Sequence, residues 1–503
     1  MITSDHRAAR IAAIALTTIG LASVASSAQA LEPPPVSVTE NAAPAFGVQP
    51  PAAADADTGA SAPLPAGTTD AATWSDLAAK ARRDGHVAVI VALRTDARAE
   101  GKLDSSGRDV QRRRIRGKRD SVLTELKGKG YSKLKSFDIV PFIALHATPE
   151  SLEALRRSKD VASVSEDRLV AAPQAEEVAG TSSNTNIVDW WDLQQVGTVT
   201  ALNNGYDGRG QSVAVLDTGV QSNHPWLAGK VVAEACFSTL TTGYTAGNCP
   251  NGLWTQTGAG AARPCTYSTS CSHGTHVAHT AAGAYGVARG AQIMAVQVFH
   301  RTPSGTALSY ESDQLNGMKF VYDNRGAYRP AAVNISIGSG GYTGPCDNRT
   351  SSTSFYAWVA ALRSVGIATV VSSGNDGYLN ALSTPSCNSN VISVGNSTLV
   401  QGGADAVYSG SNSASFLSLL APGTHICSAV PNNASDCTYT GTSMAAPHVA
   451  GAIAALKQLR PTVSVTAALT ALQASGTPVY DSRNAITKPR LNVWGSVVYL
   501  YNH

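Results

Sequence analysis

The sequence has no marked excess of charge of either sign. Its 38 lysines and arginines nearly balance 35 aspartates and glutamates, which leaves a net charge of +3 at pH 7. A chain this close to neutral has no global attraction to nucleic acid or to an anionic membrane surface. We therefore expect neither nucleic acid nor a membrane among its partners.

Long apolar runs are also scarce. The main candidate, Ile11 to Val24, is interrupted by threonine and is shorter than the ~20 residues that a membrane-spanning helix needs. Arg7 and Arg10 precede it, and Ala28-Gln29-Ala30 follows it. A basic start, a short apolar core and an A-x-A end are typical of a secretory signal peptide. We therefore predict that residues 1–30 are a signal peptide and that the protein is secreted.

Cysteine is absent from residues 1–235, and the C-x-x-C spacing typical of zinc sites occurs nowhere in the sequence. All 8 cysteines lie in the later part of a chain predicted to be exported, which favours disulfide bonds over metal ligands. Eight cysteines allow many pairings. Proximity along the chain favours Cys427 with Cys437, and Cys346 with Cys387 is the second pairing that we expect.

The composition divides the precursor into segments. Residues 31–70 are dense in proline, alanine and small polar residues, which predicts a linker with little to bury. Residues 71–172 are highly charged and predict a small ferredoxin-like α+β module in the order β-α-β-β-α-β. Its predicted elements are a short helix opened by Trp74-Ser75-Asp76, a strand at His86–Leu93, a helix at Gly107–Lys129, strands at Lys133–Phe137 and Val140–His146, a helix from Pro149, and a strand at Val161–Val170.

The rest of the chain predicts a larger α/β domain. Residues 173–186 are small and polar, as expected of a processing linker open to proteolysis. From residue 187 to 503, apolar strand-like runs alternate with helical patterns, which predicts a parallel sheet flanked by helices. The predicted strands are Gln211–Leu216, Gln292–Phe299, Ala331–Ile337, Ala368–Ser373 and Val391–Val394, and the predicted helices include Ser309–Asn324 and Phe355–Val365. In such sheets the chemistry lies beyond the carboxyl ends of the strands.

Three short segments carry side chains of complementary chemistry. They are the apolar strand SVAVLDTG at 212–219, the loop CSHGTHV at 271–277, and the Gly-flanked GTSMAAPHVAG at 441–451. A serine hydroxyl becomes nucleophilic when an imidazole takes its proton, and a carboxylate fixes the tautomer of that imidazole. We assign these roles to Ser443, His273 and Asp217. Because the free imidazole is the active form, we expect activity to fall below about pH 6 to 7.

A tetrahedral oxyanion also needs hydrogen-bond donors. The segment VSSGNDG at 371–377 offers the amide side chain of Asn375 at the end of an apolar strand. We expect Asn375 and the backbone N–H of Ser443 to form the oxyanion hole, with Ser443 placed at a helix N-terminus whose dipole favours negative charge.

Together these segments resemble the signature blocks of the subtilases, in the order Asp, His, Ser. The resemblance covers about residues 190 to 495, and Gly374-Asn375 matches the oxyanion element of the family. It implies that the backbone of Ser336, Gly338 and Ser339 pairs with an extended polypeptide substrate. It implies further that residues 71–172 are an inhibitory propeptide that also assists folding.

The resemblance also bears on specificity and cofactors. It places the specificity pocket between residues 336–340, 374–377 and 381–385, with Gly374 among the substrate-binding positions. Asp376 is the single charged residue there, so we expect broad cleavage after apolar or aromatic residues. No catalytic cofactor is implied. Structural calcium is common in such enzymes, but the sequence assigns no ligands to it, and we expect a monomer.

Two other kinds of active site also match parts of the sequence. Asp217-Thr218-Gly219 also fits the aspartic-protease signature, but its second copy, at 57–59, lies in the Pro/Ala-rich linker without a preceding strand. His273, His276 and His279 recur every three residues without an H-E-x-x-H motif or an acidic third ligand, so a metal site is disfavoured. His276 and His448 are expected to be structural hydrogen-bonding residues.

Two further features need an interpretation. His279 occupies a position where the family usually has glycine, and its side chain must enter a space that is normally tight. The basic cluster at 112–119 lies on a helix of the predicted propeptide, and a solvated charged face is favoured over nucleic-acid binding.

Two other functions remain open from the sequence. A catalytically silent relative that acts as a secreted binding module is disfavoured, because all four catalytic positions are filled. A transpeptidase on the same scaffold would reveal itself by ligation when an amine nucleophile is added.

Overall fold

A computed structural model of the chain describes residues 63–172, 176–177, 191–239, 248–398 and 405–503. The predicted signal peptide, most of the 31–70 linker and nearly all of the processing linker lie outside the described residues. Within the described part of the chain, no helix is long and apolar enough to cross a membrane.

The first module confirms the predicted order of elements, including the short helix predicted in front of the first strand. Its elements are α1 Ala71–Asp84, β1 Val87–Leu93, α2 Ser105–Glu125, β2 Tyr131–Ser136, β3 Phe142–Ala147, α3 Pro149–Arg157, β4 Val161–Glu166 and β5 Leu169–Ala171. Strands β1 to β4 form an antiparallel sheet in the order β2-β3-β1-β4. Side chains cap the helices at their N-termini: Asp70 accepts from the N–H of Thr73, and Asp104 accepts from the N–H of Gly107, both at 2.7 Å.

The predicted strand at 161–170 is two strands. The backbone N–H of Asp167 donates to the carbonyl oxygen of Ala88, and the chain then leaves the sheet of the module. Strand β5 pairs instead with a strand of the larger domain.

The larger domain consists of the remaining elements. Its helices are α4 Trp191–Gln195, α5 Thr198–Asn203, α6 His273–Ala282, α7 Glu311–Asp323, α8 Arg325–Tyr328, α9 Thr353–Ser364, α10 Thr442–Leu459, α11 Val465–Ala474 and α12 Val493–Asn502. The first strands after β5 are β6 Glu176–Glu177, β7 Ser212–Asp217, β8 Val231–Phe237, β9 Thr255–Thr257, β10 Gln292–Gln297, β11 His300–Arg301, β12 Ala307–Tyr310 and β13 Pro330–Ile335. They are followed by β14 Ser339–Tyr342, β15 Ala368–Ser372, β16 Leu382–Thr384, β17 Ile392–Ser397, β18 Leu419–Pro422, β19 Ile426–Val430, β20 Ala434–Thr440, β21 Thr477–Asp481 and β22 Ile486–Arg490.

One predicted helix begins later than expected. The pattern at 309–324 predicted a helix from Ser309, but Ala307–Tyr310 is strand β12 and helix α7 begins at Glu311. Glu311 and Asp313 lie in the first helical turn, where the helix dipole favours acidic side chains.

The central sheet has the strand order β21-β22-β18-β17-β15-β13-β7-β10-β8-β9. All neighbouring pairs from β22 to β8 are parallel, and the two outer strands, β21 and β9, are antiparallel to their neighbours. Alternate residues of β7 enter two separate cores: Val213 and Val215 pack with α6 and α10, whereas Ala214 and Leu216 pack with α7 and α9. Helices therefore cover both faces of the sheet, and the predicted fold class is confirmed.

Four disulfide bonds cross-link the larger domain. The predicted pairs Cys427–Cys437 and Cys346–Cys387 are confirmed. Cys236–Cys249 and Cys265–Cys271 complete the set. The shortest loop is closed by Cys265–Cys271, with a sequence separation of 6, and not by Cys427–Cys437 as proximity along the chain had indicated.

Candidate active site

The side chains singled out by the sequence meet where adjacent parallel strands end. Asp217 is the last residue of β7, and Ser336 directly follows the neighbouring strand β13. Asn375 follows the next strand, β15, after a short turn. His273 opens helix α6 and Ser443 is the second residue of helix α10, and these two helices pack against each other. The topology therefore collects residues from distant parts of the chain at one edge of the sheet.

Asp217 and His273 form a buried pair. Asp217 is fully buried and His273 is 1% exposed. The Nδ1 atom of His273 lies 2.8 Å from Oδ1 and 3.0 Å from Oδ2 of Asp217. An ionised carboxylate can only accept hydrogen bonds, so in a neutral imidazole this contact assigns the proton to Nδ1 and the lone pair to Nε2. Among the described residues, the buried Nε2 atom has no hydrogen-bond partner.

Gly274 allows this pair to form. A Cβ atom at this position would lie 2.4 Å from the carbonyl oxygen of Gly219 and 3.1 Å from the Cβ of Asp217. A side chain there would push the start of α6 away from the strand that carries Asp217. The glycine in the H-G-T-H segment is thus explained by close approach of the two backbones.

Ser443 lies at the N-terminal end of α10 and is 4% exposed. Its Oγ donates a long hydrogen bond of 3.4 Å to the carbonyl oxygen of Ser336. In the described structure Oγ is not hydrogen-bonded to His273, because Nε2 of His273 is without a partner. The hydroxyl must therefore turn from Ser336 to the imidazole before its proton can be transferred.

The amide of Asn375 is oriented by Thr442. Both the backbone N–H and the Oγ1 hydroxyl of Thr442 donate to Oδ1 of Asn375, each at 2.9 Å. Because these bonds occupy the acceptor end, the two N–H groups of Nδ2 remain available for another acceptor. A Cβ atom at Gly441 would lie 3.0 Å from Nδ2, which places that nitrogen beside the start of α10.

Gly374 has no room for a side chain. Its φ is +106°, and a Cβ atom would lie 2.2 Å from both Nδ2 of Asn412 and Oγ of Ser383. Its N–H donates to Oγ1 of Thr442 at 3.2 Å, which ties the turn before Asn375 to the start of α10.

The predicted substrate-binding residues separate into two groups. Ser336 is completely buried, whereas Gly338 is half-buried and Ser339 is exposed. Ser339 begins β14, which pairs antiparallel with β16 through the partners Ser339 and Thr384. Asp376, the charged residue of the predicted pocket, accepts a hydrogen bond of 3.1 Å from Nδ2 of Asn412.

A second candidate strand for substrate was missed by the sequence analysis. Strand β12 pairs antiparallel with β5, with Leu308 opposite Ala171 and Tyr310 opposite Leu169. The N–H of Ala172 also donates to the carbonyl oxygen of Ala307 at 2.9 Å. An extended polypeptide thus already adds to this edge strand. The sequence analysis assigned part of β12 to the helix that follows it. Gly305, just before β12, was a signal for a turn.

The histidines that follow His273 are held by hydrogen bonds within the fold. Nε2 of His276 contacts the carbonyl oxygen of Ile426 at 2.9 Å, and burial lowers the pKa of His276 to about 3. His448 lies between the carbonyl oxygen of Met444, 2.8 Å from Nδ1, and the Asp192 carboxylate, 2.9 Å from Nε2. Among the described residues, no group of three His, Cys, Asp or Glu side chains is arranged to hold a metal ion.

His279 is accommodated by its neighbours. Its ring lies 5.0 Å from that of Trp226, and its Nδ1 is 2.7 Å from Oγ of Ser428. Burial lowers the pKa of His279 well below its usual value, so the ring is neutral. A Cβ atom at Gly283 would lie 2.1 Å from Cδ2 of His279, so glycine at 283 provides the space that the imidazole needs.

The fold and the site together indicate the class of protein. A buried carboxylate–imidazole pair beside a serine at a helix N-terminus, at the carboxyl edge of a parallel sheet, is the arrangement of a serine hydrolase. The sequence model of the subtilase family matches residues 208–482. Subtilisin E of Bacillus subtilis (strain 168) is 30% identical over 360 residues, which cover 69% of this chain and 77% of that protein. The chain therefore belongs to the subtilase family and is a subtilisin-like serine endopeptidase.

Other relatives agree with this assignment. Alkaline proteinase of Hapsidospora chrysogena is 30% identical over 340 residues, which cover 65% of this chain and 74% of that protein. The crystal structure of fervidolysin from Fervidobacterium pennivorans, a keratinolytic enzyme related to subtilisin, superposes with a TM-score of 0.60 at 19% identity. That superposition covers 87% of this chain but 63% of the fervidolysin chain, and at this identity it supports the fold alone.

Proposed function

We propose that the protein is a secreted endopeptidase that hydrolyses peptide bonds through Asp217, His273 and Ser443, and that it is made as a self-processing zymogen. The observation that carries the proposal is the buried pair of Asp217 and His273, whose free Nε2 is available as a base beside the helix that carries Ser443. This arrangement performs acyl transfer without a catalytic cofactor.

The reaction proceeds in two halves. Nε2 of His273 takes the proton of Ser443 as Oγ attacks the scissile carbonyl carbon, and Asp217 stabilises the imidazolium. The imidazolium then gives its proton to the leaving amine as the C–N bond breaks, which leaves an acyl-enzyme. Water attacks this ester with His273 as base, and the acid product and free Ser443 are released.

The oxyanion is stabilised by two donors. The N–H of Ser443 lies at the positive end of the α10 dipole, and Nδ2 of Asn375 is presented by the two bonds that Thr442 makes to Oδ1. Preorganised donors of this kind stabilise the charge that develops on the carbonyl oxygen.

Extended polypeptides are the proposed substrates. The pairing of β5 with β12 supports this proposal, because β5 is itself an extended segment paired with that strand. The exposed Ser339, together with Gly338, offers a second backbone edge, and Gly374 lies at the proposed pocket. Asn412 already occupies one oxygen of Asp376, which supports broad cleavage after apolar or aromatic residues over a preference for lysine or arginine.

Residues 71–172 are proposed to be the inhibitory propeptide. Lys135 of β2 forms a buried ion pair with Asp313 of α7, with 2.8 Å between Nζ and Oδ1. Arg168 adds an ion pair with Glu311, the first residue of α7, at 3.3 Å. Together with the pairing of β5 and β12, these contacts between the module and the larger domain support the proposal.

Maturation is proposed to occur between about Ala171 and Asn186. Strand β5 pairs with β12, and strand β6 pairs with β20, which ends shortly before Ser443. The chain is therefore bound on both sides of the stretch 173–175. Secretion is supported by the predicted signal peptide and by the four disulfide bonds, which form in oxidising compartments. Structural calcium stays a prediction without assigned ligands.

The first test compares the purified precursor with its Ser443→Ala variant. We expect the wild type to lose ~17 kDa, about 150 residues, and to gain casein-hydrolysing activity, because intramolecular cleavage needs the nucleophile. The variant should stay full-length and inactive. Mass spectrometry over time and casein hydrolysis measure the two effects. If both proteins stay intact and inactive while folded, self-processing through Ser443 is wrong.

A further inference from the structure

Pro447 interrupts the hydrogen bonding of the helix that carries the nucleophile. It lies inside α10, one turn after Ser443. In a regular helix, the N–H of residue 447 donates to the carbonyl oxygen of residue 443, but proline has no N–H. The carbonyl oxygen of Ser443 thus lacks its helical partner. Both residues are buried, so this oxygen needs a donor from the protein.

Ser336 supplies that donor. Its Oγ donates to the carbonyl oxygen of Ser443 at 3.0 Å. Nδ2 of Asn334 donates to the same Oγ at 3.0 Å, which uses a lone pair of the hydroxyl and leaves its proton for Ser443. The hydroxyl of Ser443 in turn donates to the carbonyl oxygen of Ser336 at 3.4 Å. The two serines are therefore joined by a reciprocal pair of hydrogen bonds.

We propose that Ser336 is a positioning residue for the nucleophile, whose hydroxyl replaces the helical hydrogen bond that Pro447 removes. The inference rests on the proposed role of Ser443. Ser336 is fully buried, so this role of its hydroxyl is distinct from the backbone pairing with substrate that was predicted for it.

The physical reason lies in two atoms of the first turn of α10. The N–H of Ser443 is a proposed oxyanion donor, and Oγ of Ser443 must reach both His273 and the substrate carbonyl. Without the Ser336 hydroxyl, the peptide group after Ser443 has no fixed partner and can tilt. A displacement of ~1 Å at a reacting group costs on the order of 100-fold in rate. The loss should appear in kcat, because the buried Oγ of Ser336 bonds to the residue that carries the nucleophile.

The test is a double-mutant cycle on Ser336 and Pro447. Four enzymes are matured from the full chain: wild type, Ser336→Ala, Pro447→Ala and the double variant. Their kcat and KM are measured with a peptide amide, and active enzyme is counted with a fluorophosphonate that labels the nucleophile. Ser336→Ala should lower kcat by about 10- to 100-fold and leave KM within about twofold.

Restoring the backbone donor should rescue the loss. In the double variant, alanine at 447 has an N–H that can donate to the carbonyl oxygen of Ser443, so kcat should return to within a few-fold of Pro447→Ala alone. A merely structural role for Ser336 does not predict this recovery. Ser496→Ala is the matched control, since Ser496 is also buried and donates to a helical carbonyl, that of Asn492, at 2.6 Å. It should lower stability and leave kcat unchanged.

Each outcome is decisive. If Ser336→Ala keeps the kcat of wild type, or if the double variant is as slow as Ser336→Ala, the proposal is wrong. If all four proteins fold but neither hydrolyse peptides nor react with the fluorophosphonate, the proposed function fails instead. In that case, thermal unfolding of the same four chains decides. A smaller loss of Tm for Ser336→Ala in the Pro447→Ala background supports the hydrogen-bond replacement, and additive losses overturn it.

Discussion

At the scale of single residues, the chemistry of the site depends more on how each side chain is oriented than on which residue type is present. The sequence named Asn375, but an amide can present either its oxygen or its nitrogen. Thr442 settles this, because both of its donors lie 2.9 Å from Oδ1 of Asn375. The donor end of the amide is thereby directed away from Thr442. In the same way, Gly374 with its φ of +106° permits a turn that a side chain would block.

Asn375→Ala should lower kcat by about 10² to 10³, a magnitude known for such a donor from a subtilisin itself, with little change in KM. The reason is that, in the proposed mechanism, Nδ2 contacts the oxyanion of the transition state and not the ground-state carbonyl. Steady-state kinetics on a peptide amide measures the effect. Asn484→Ala is the control, because Oδ1 of Asn484 also accepts from a backbone N–H, that of Ile486 at 3.1 Å, away from the triad. An unchanged kcat for Asn375→Ala would exclude it as an oxyanion donor.

At the scale of elements, the first turn of α7 forms one of the contacts between the module and the larger domain. Asp167 accepts from the backbone N–H of Ser312 at 2.9 Å, so the module caps the start of this helix. Burial raises the pKa of Asp167 to about 6. Asp313 accepts from both the N–H and the Oγ1 of Thr239 at 2.8 Å, in addition to its ion pair with Lys135. These buried charged groups thus have hydrogen-bond or ion-pair partners.

Lys135→Met should weaken inhibition by the module. The change leaves Asp313 buried without its cation, and breaking a buried pair costs about 3–5 kcal/mol, which corresponds to a loss of affinity on the order of 100-fold or more. The measurement is the activity of the self-processed protein as a function of dilution, which gives the dissociation constant of the cleaved module.

Lys80→Met is the matched control for Lys135→Met. Lys80 pairs with Glu166 at 2.8 Å inside the module, and its side chain is 29% exposed. An exposed pair contributes about 0–1 kcal/mol, so dilution should activate this variant much like the wild type. Equal dissociation constants for the two variants would show that the buried pair does not hold the module in place.

At the scale of the whole molecule, several neutral imidazoles are buried in both parts of the chain. Burial lowers the pKa of His146 in the module to about 3, and it lowers the pKa of His300 in the larger domain to about 4. Both ring nitrogens of His300 are buried without a hydrogen-bond partner among the described residues, and the ring stacks on Tyr310 at 5.2 Å. At acidic pH these histidines are therefore protonated in the unfolded chain but stay neutral in the folded protein.

The Ser443→Ala precursor, which cannot digest itself, should lose stability as the pH falls from about 6.5 to 4. Between these values a histidine with a lowered pKa is protonated in the unfolded state and neutral in the folded state, so its stabilising contribution is present above pH 6.5 and lost below it. Thermal unfolding across this range measures the loss. His300→Phe keeps the stacking on Tyr310 but has no histidine to protonate in the unfolded state. At pH 4 the free energy of unfolding of this variant should therefore have fallen by about 3 kcal/mol less than that of the parent. A parallel pH profile for this variant would contradict the assignment.

Much of the fold and of the site could be predicted from local patterns in the sequence. Continuous apolar runs identified the parallel strands, because such strands are buried on both faces. The acid at the end of β7 and the serine at the start of α10 followed from their places in strand and helix. The disulfide between Cys427 and Cys437 joins neighbouring strands, so it too is close to a local property.

Contacts between residues far apart in the chain were determined by the tertiary structure alone. The hydroxyl of Ser336 reaches the carbonyl of Ser443, 107 residues away, and β12 pairs with β5 of the module. His279 fits because Trp226 and Gly283 shape its pocket. Sequence patterns report the periodicity of burial and the chemistry of single side chains. They do not report which buried groups face each other, because that depends on how the completed layers pack.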